Sequence, residues 1–468
     1  MAGARPRVAI VGAGPAGAFA SARLLRARPD AEIDLFERLP TPWGLLRGGV
    51  APDHQEIKRL DETFDRKTLA RGCRFFGNVE VGVDISHSDL MRHYSAVIYA
   101  TGAQTDKSLG IPGEELPGSR AATEFVAWYN GHPDYRDLEF DLSPRRAVVI
   151  GNGNVAADVS RLLTLSPAEL ERTDVADHAL EALRESRIEE VVVVGRRGPG
   201  QAAFTSSELR ELGHLDGVEL RVDPEEVELD PLSRRWLAEK GTFTARKNVE
   251  LLREFAARPG RPDARRRIDL RFLRSPVEIR GEDRVEAIVV CRNKLVRAED
   301  GSLRPRPLGD DVETIECGLV LRSVGYRAVP LPDVPFDERS FVLPNEGGRV
   351  LTAEGELLPG VYAVGWIKRG PTGILGTNKR DAEETVSCLA QDLAAGRLPA
   401  PPSPGREQID ALLANRKPDL VTVEGWRTID ARELERGRDE HRPRVKLASR
   451  DELLIAAQAQ ARSPAAGR

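Results

Sequence analysis

The sequence predicts an α/β protein built on two Rossmann-like dinucleotide-binding domains. Three observations carry that prediction. Residues 7–28 read as a strand, a glycine-rich turn and a helix, in that order. Residues 146–163 repeat the order. Short apolar runs at 96–100 and 188–194 supply further strands of the kind such sheets need.

Composition agrees. A chain of 468 residues is long enough for two or three domains. Hydrophobic residues are 40%, charged residues 31%, and the formal net charge is −5. Repeated Val/Ile/Leu runs exclude a disordered chain, and the charge argues against a general nucleic-acid binder. No apolar stretch approaches the roughly 18 residues of a membrane span, and no secretory signal precedes the strand at Arg7. Cys73, Cys291, Cys317 and Cys388 lie far apart with no Cys-x-x-Cys. That spacing leaves no redox disulfide pair, zinc knuckle or iron–sulfur ligand run, so no metal is expected and cytoplasm is the default compartment.

Taken in order, a strand at 7–11 leads into the first turn and helix. Ile33-Asp34-Leu35-Phe36 reads as the next strand, and Val79-Glu80-Val81-Gly82-Val83 as part of a meander. A strand at 96–100 ends in Thr101-Gly102, and the loop holding Pro112, Gly113, Pro117 and Gly118 reads as a first boundary. A strand from Ile188 to Val194 runs into Gly195-Arg196-Arg197-Gly198. Residues 285–291 and 319–324 alternate like strands. The pattern changes near Gly325; residues 361–365 read as a strand and 374–393 as a helix with a polar face. The tail after Ser463 is expected to fray.

The first turn is Gly12-Ala13-Gly14-Pro15-Ala16-Gly17. Gly12 permits the tight turn, Gly14 lets the backbone approach a pyrophosphate, and Gly17 lets the helix pack on its strand. The helix N-terminus offers free N–H groups and the positive end of its dipole. Glu37 stands about 20 residues further on, where a carboxylate binds ribose hydroxyls. A bare structural turn needs no such acid.

The second turn is Gly151-Asn152-Gly153-Asn154-Val155-Ala156. Ala156 in the third glycine position keeps the pyrophosphate turn and spaces the helix slightly from its strand. After the next strand an NAD site would carry Asp or Glu; this chain has Arg196-Arg197. Guanidinium groups hold a 2′-phosphate bidentately, so NADP(H) is expected. Lys107 is a weaker candidate for added charge on the same phosphates. Two nucleotide sites imply a relay between a resident flavin and an exchanging nicotinamide, with electrons leaving to an acceptor outside the chain.

The chain also resembles the adrenodoxin-reductase-like ferredoxin–NADP⁺ reductases. The matching stretches are Leu39-Pro40-Thr41-Pro42-Trp43-Gly44-Leu45, Gly49-Val50-Ala51-Pro52-Asp53-His54, Phe75-Phe76-Gly77-Asn78-Val79, Val149-Ile150-Gly151-Asn152-Gly153-Asn154-Val155-Ala156, Gly195-Arg196-Arg197-Gly198-Pro199 and Arg442-Pro443-Arg444-Val445-Lys446-Leu447. The most specific is Val364-Gly365-Trp366-Ile367-Lys368-Arg369-Gly370-Pro371-Thr372-Gly373. The resemblance spans nearly the whole chain. It implies a glutathione-reductase-type architecture, with an NADP-binding domain (106–325) inserted into a discontinuous FAD-binding domain (1–105 and 326–468). It implies FAD contacts at Gly17, Glu37, Leu45, Val81, Trp366, Gly373, Ile374 and Leu375. It implies NADP contacts at Asn152, Gly153, Asn154, Val155, Arg196, Arg197, Glu208 and Gly373. Glu208 and Glu211 share a helix face at i and i+3, so one can orient the nicotinamide carboxamide. His54 matches a histidine near the flavin, a modulatory proton shuttle rather than a hydride-transfer group. Gln55 departs from the family, which usually has Pro there.

The resemblance implies a ferredoxin as partner, which is typically acidic, with a cytochrome P450 as one possible downstream user. Residues 246–274 carry ten Lys/Arg against four Asp/Glu and offer a docking surface, against the plainer reading of a solubilising charged loop. The alternatives are the reductase subunit of a glutamate-synthase-like complex, whose usual cysteine-rich module is missing here, and a non-turnover flavin-binding sensor, which needs no second nucleotide site. A monomer is expected.

Overall fold

The computed structural model describes residues 5–403 and 405–459. The tail after Ser463 lies outside them. Within the described residues the chain divides into two compact units. One holds the chain up to Thr105, Asn130–Asp134, and the chain from Gly325; the other holds Asp106–Tyr129 and Tyr135–Val324.

The first unit is built on a sheet of seven strands. Five run parallel in the spatial order Leu357–Ala363, Ala96–Tyr99, Arg7–Val11, Glu32–Glu37, Arg74–Gly77. Arg349–Leu351 and Asn345–Glu346 extend one edge antiparallel. Alternate residues feed two cores. Val8, Ile10, Ile33, Leu35 and Ile98 point to one face, and Ala9, Val11, Phe36, Val97 and Tyr99 to the other. A sheet buried on both faces reads as continuous apolar runs, which is why these strands stand out in the sequence. The helices Pro15–Ala27 and Leu375–Ala394 pack together over the first face.

The Arg442–Leu447 motif ties the C-terminal helices to this unit. Glu433, fully buried, accepts from both terminal nitrogens of Arg47, from Arg444 at 3.0 Å and from the Leu447 N–H at 2.9 Å. These charges hold the Glu433 carboxyl below its ordinary value against the cost of burial. Lys446 and Lys58 each donate to Asn130 Oδ1 at 3.0 Å, and Arg38 and Arg450 pair with Asp134. These contacts draw Asn130–Asp134, inside the stretch read as 106–325, into the first unit.

The second unit is built on six parallel strands in the order Ser119–Ala121, Leu319–Arg322, Arg146–Ile150, Glu190–Val194, Arg266–Arg271, Val218–Val222. An antiparallel sheet of Arg274–Arg280, Ala287–Arg297 and Leu303–Glu316 accompanies it.

Three local expectations are corrected. Residues 79–83 form no strand: Val81 makes only an isolated bridge to Ile85, because Gly82 turns at φ +99 against Pro332 and Asp84 accepts from the Glu80 N–H. The 112–118 loop is interior to the second unit, where Ile279 and Val285 N–H groups donate to the Pro112 and Pro117 carbonyls. The strand read at 285–291 runs on to Arg297 through an irregularity between Cys291 and Asn293.

Candidate functional site

In the first unit, Gly12 follows its strand with φ +106, and its N–H donates to the Phe36 carbonyl at 2.8 Å. A Cβ there would stand 2.5 Å from the Ala100 carbonyl oxygen. A Cβ on Gly17 would stand 2.1 Å from the Gly12 oxygen, so only glycine lets the helix sit on its own turn. Gly14 is different: a Cβ would meet nothing nearer than the Gly44 Cα at 3.8 Å. Its lack of a side chain serves no internal packing, which fits close approach by a phosphate. Gly14 caps the helix without a side-chain bond, so the first N–H groups are left for an anion.

The Trp43-Gly44 motif lies on this turn. The Trp43 N–H donates to the Ala13 carbonyl at 2.8 Å, and Gly44 approaches so closely that a Cβ would reach the Gly14 Cα at 3.0 Å. Leu45 opens the next short helix, half exposed. Glu37 ends its strand and accepts from the N–H of Ala13 at 3.0 Å and of Leu39 at 3.1 Å. Burial pushes its carboxyl up, and those two donors pull against the rise. Thr101 Oγ1, buried in the residue after Ala100, has no hydrogen-bond partner among the described residues. An orphaned hydroxyl, a Cβ-free turn and uncapped N–H groups fit a dinucleotide here.

Trp366 follows Gly365, whose hypothetical Cβ would lie 2.5 Å from the Ala16 Cβ. Its indole stands 5.0 Å from the Tyr326 ring. Lys368, buried, pairs with Asp381 at 2.8 Å and Glu384 at 2.7 Å and pins this turn to the long helix. Gly373 (φ +83) and Ile374, 61% exposed, lead into that helix at Leu375. Gly12, Glu37 and Trp366 thus stand at the carboxyl ends of parallel strands, where ligands bind in such sheets. His54 is half-buried and caps Gln55–Lys58. Gln55 Nε2 donates to the Pro52 carbonyl at 2.7 Å, closing by a side chain the turn that a proline would stiffen.

In the second unit, Gly151 repeats the role of Gly12. Its φ is +131, its N–H donates to the Val194 carbonyl at 2.8 Å, and a Cβ would strike the Ser323 oxygen at 2.2 Å. A Cβ on Gly153 would meet only the Ala203 Cβ at 3.8 Å. Ala156 is fully buried. The segment 203–205 runs along the turn: the Ala203 N–H donates to the Asn152 carbonyl at 2.9 Å, and the Thr205 N–H to Asn154 Oδ1 at 2.8 Å. Val155 is half-buried in the helix Asn154–Thr164. Asn152 Nδ2, buried against Gly195, has no partner among the described residues.

Arg196 is exposed and Arg197 half-buried. Among the described residues neither side chain forms an ion pair or hydrogen bond. Burial, and then the charge of Arg196, lower the Arg197 pKa, so an arriving dianion relieves a standing repulsion. These features fit a 2′-phosphorylated nucleotide. Lys107 is exposed at the start of this unit.

Glu208 and Glu211 share one face of Ser206–Leu212, as the spacing predicts. What the sequence did not reveal is Arg161, fully buried between them. It bonds Asp158 at 2.7 Å and Glu208 at 3.3 Å and lies 3.8 Å from Glu211. Glu208 therefore compensates a buried cation, while the Glu211 side chain stays 41% exposed. The basic stretch also changes meaning. Arg266 donates to the Leu163 and Leu165 carbonyls, Arg267 pairs with Glu219 and Arg258 with Glu254, leaving Arg253 and Arg265 as exposed cations.

The sequence model for pyridine nucleotide-disulphide oxidoreductases matches residues 6–194. NADPH-ferredoxin reductase FprA of Mycobacterium tuberculosis is 50% identical over 456 residues, covering 96% of this chain and 98% of the relative. The chain belongs to the adrenodoxin-reductase-like family of ferredoxin–NADP⁺ reductases. Human mitochondrial NADPH:adrenodoxin oxidoreductase is 42% identical over 465 residues, covering 96% and 91%. The solved structure of M. tuberculosis FprA in complex with NADPH superposes with a TM-score of 0.90 at 48% identity, over 97% of this chain and all of that one. All four cysteines are free, and burial pushes the Cys73 and Cys317 thiols up to about 12.

Proposed function

We propose that the chain is an FAD-dependent NADPH–ferredoxin reductase, moving electrons between NADPH and a small iron–sulfur protein. The observation that carries this reading is two Rossmann turns in one chain, the second followed by an arginine pair without a side-chain partner. When bound, FAD accepts a hydride from NADPH and releases electrons singly. The chain's part is to bind and orient. The Gly12–Gly17 turn and the N–H groups after Gly14 hold the flavin pyrophosphate, and Glu37 holds ribose hydroxyls. Leu45, Val81 and Trp366 give apolar contact. Gly373, Ile374 and Leu375 border the flavin, and the N–H groups of Gly373 and Leu375 face negative charge with the positive end of a 20-residue helix behind them, the Ile374 N–H being taken by Thr377 Oγ1 at 3.2 Å.

Asn152, Gly153, Asn154 and Val155 hold the NADP pyrophosphate, Arg196 and Arg197 its 2′-phosphate, with Lys107 adding charge. Glu211 orients the nicotinamide carboxamide, and Glu208 keeps that helix in place through Arg161. His54 holds or moves a proton beside the flavin. The finer assignment is a monomer in the cytoplasm, reducing a ferredoxin that feeds a cytochrome P450. The free cysteines support the compartment in that assignment.

Anaerobic addition of NADPH, and separately NADH, to the purified yellow protein tests the reading. Fast bleaching by NADPH with a much slower response to NADH is expected. Equal responses sink the 2′-phosphate assignment, and a colourless protein sinks the flavin site.

A further inference from the structure

The arginine loop is held by a residue far away in sequence. Asn293 is 2% exposed and sits where the Ala287–Arg297 strand breaks register after Cys291. Its Nδ2 donates to the Arg196 carbonyl at 2.9 Å and to Ser275 Oγ at 2.8 Å. The Arg196 carbonyl accepts only from a donor, which fixes the amide orientation. The Asn293 Oδ1 is left buried without a partner, so the amide is not there for its own satisfaction.

Its neighbours act in the same direction. The Asn293 N–H donates to the Leu273 carbonyl at 2.8 Å, and the Leu273 N–H donates to the Arg197 carbonyl at 3.1 Å. Leu273 does so at φ +53, a left-handed conformation costly for a branched side chain. The Arg274 N–H donates to the Gly195 carbonyl at 3.0 Å. Gly195, Arg196 and Arg197 are thus fixed by their backbones, while both guanidinium groups lack a side-chain partner. Backbone fixed and side chains uncommitted is the arrangement that pre-organises cations for a phosphate.

We propose that Asn293 is the positioning residue that sets the preference for the 2′-phosphorylated nucleotide, by holding the Arg196 backbone. The inference rests on the reading of Arg196 and Arg197 as the 2′-phosphate site. Asn293 touches no nucleotide; it acts through the arginine loop. The pyrophosphate turn follows a different strand, Arg146–Ile150, and meets the arginine loop at Val194 and Gly195 rather than at Arg196, so the loss on removing this amide is expected to fall on the 2′-phosphate.

Asn293→Asp keeps the side-chain size and removes the donor; Asn293→Ala removes the amide. Each is titrated calorimetrically with 2′,5′-ADP and with 5′-AMP, which lacks the 2′-phosphate, and thermal melting is followed in parallel. The expected result is about tenfold weaker 2′,5′-ADP binding with 5′-AMP binding and melting close to wild type. In turnover the NADPH KM rises by a similar factor while kcat and the NADH parameters hold. Ser275→Ala, which spares the bond to Arg196, retains wild-type selectivity. Unchanged 2′,5′-ADP affinity in Asn293→Asp, or equal losses for both nucleotides with a lowered melting point, overturns the proposal. Wild-type protein that binds both nucleotides alike overturns instead the reading of the arginine pair, and the inference falls with it.

Discussion

The two glycine turns begin alike and end differently. Gly12 and Gly151 adopt the same left-handed region and press against the end of a neighbouring strand, the Ala100 and Ser323 carbonyls. Beyond that, the first turn is closed on itself. Glu37 bonds the Ala13 N–H, Trp43-Gly44 lies across Gly14, and Gly365 abuts Ala16. The second turn carries Ala156 where the first needs Gly17. Its selective groups, Arg196 and Arg197, are tied by backbone but not by side chain. The groups around the first turn are already paired within the chain before any ligand arrives, which suits a resident cofactor. The other keeps unpaired charge that an arriving nucleotide neutralises and a leaving one exposes again, which suits exchange.

The largest effects come from the turns themselves. Gly12→Ala forces a Cβ onto a carbonyl at a φ that L residues avoid, at a cost of about 3 kcal/mol or more. Loss of visible flavin absorbance per chain is expected. Gly151→Ala carries the same cost but keeps the flavin and loses its bleaching by NADPH. If both variants lose flavin equally, the division of labour between the turns is wrong.

Next comes the charge. The double variant Arg196→Ala/Arg197→Ala is expected to lower kcat/KM for NADPH about 100-fold, from two charge-assisted contacts, and to leave NADH nearly unchanged. Steady-state kinetics with ferricyanide as acceptor check this, and a matching fall with NADH would refute it.

A smaller effect separates the units by pH. His132 belongs to the first unit, where burial and then the charges of Arg38, Arg450 and Arg47, against Asp134, lower its pKa from 6.5 to about 4. The unfolded chain therefore takes up a proton between those values while the folded unit does not. Stability is full above 6.5 and falls as pH drops towards 4, by about 3 kcal/mol. Denaturant titrations across that window should show the loss, and His132→Gln should flatten it. A slope unaffected by the substitution would assign the acid sensitivity elsewhere.

The smallest effect concerns the acceptor. Arg253→Glu with Arg265→Glu should slow ferredoxin reduction about fivefold at low salt, with the gap closing as salt rises and ferricyanide reduction unaffected. Equal slowing with both acceptors would remove this surface as the docking site. Arg266 and Arg267 are poor choices for that test, since their charges are spent on carbonyls and on Glu219.

Strands buried on both faces were legible because their burial makes them continuously apolar, as at Arg7–Val11, Arg146–Ile150 and Glu190–Val194. The alternation at 79–83 misled, because Gly82 and Pro332 impose a turn that pattern alone does not reveal. The antiparallel strand Leu303–Glu316 went unread because much of it is exposed and charged.

Of the site, the sequence alone determined what local chemistry can encode: two turns that only glycine can make, an acid after one and a pair of cations after the other. Spacing suffices there because a turn and its helix are neighbours in the chain. Arg161 between Glu208 and Glu211, the Asn293 bond to Arg196, and the attachment of Asn130–Asp134 to the first unit were decided only in three dimensions. Each joins residues distant in sequence through a buried polar contact. Burial makes such contacts matter, because a buried charge or carbonyl without a partner is costly, and which groups become buried together is settled by packing rather than by neighbouring residues.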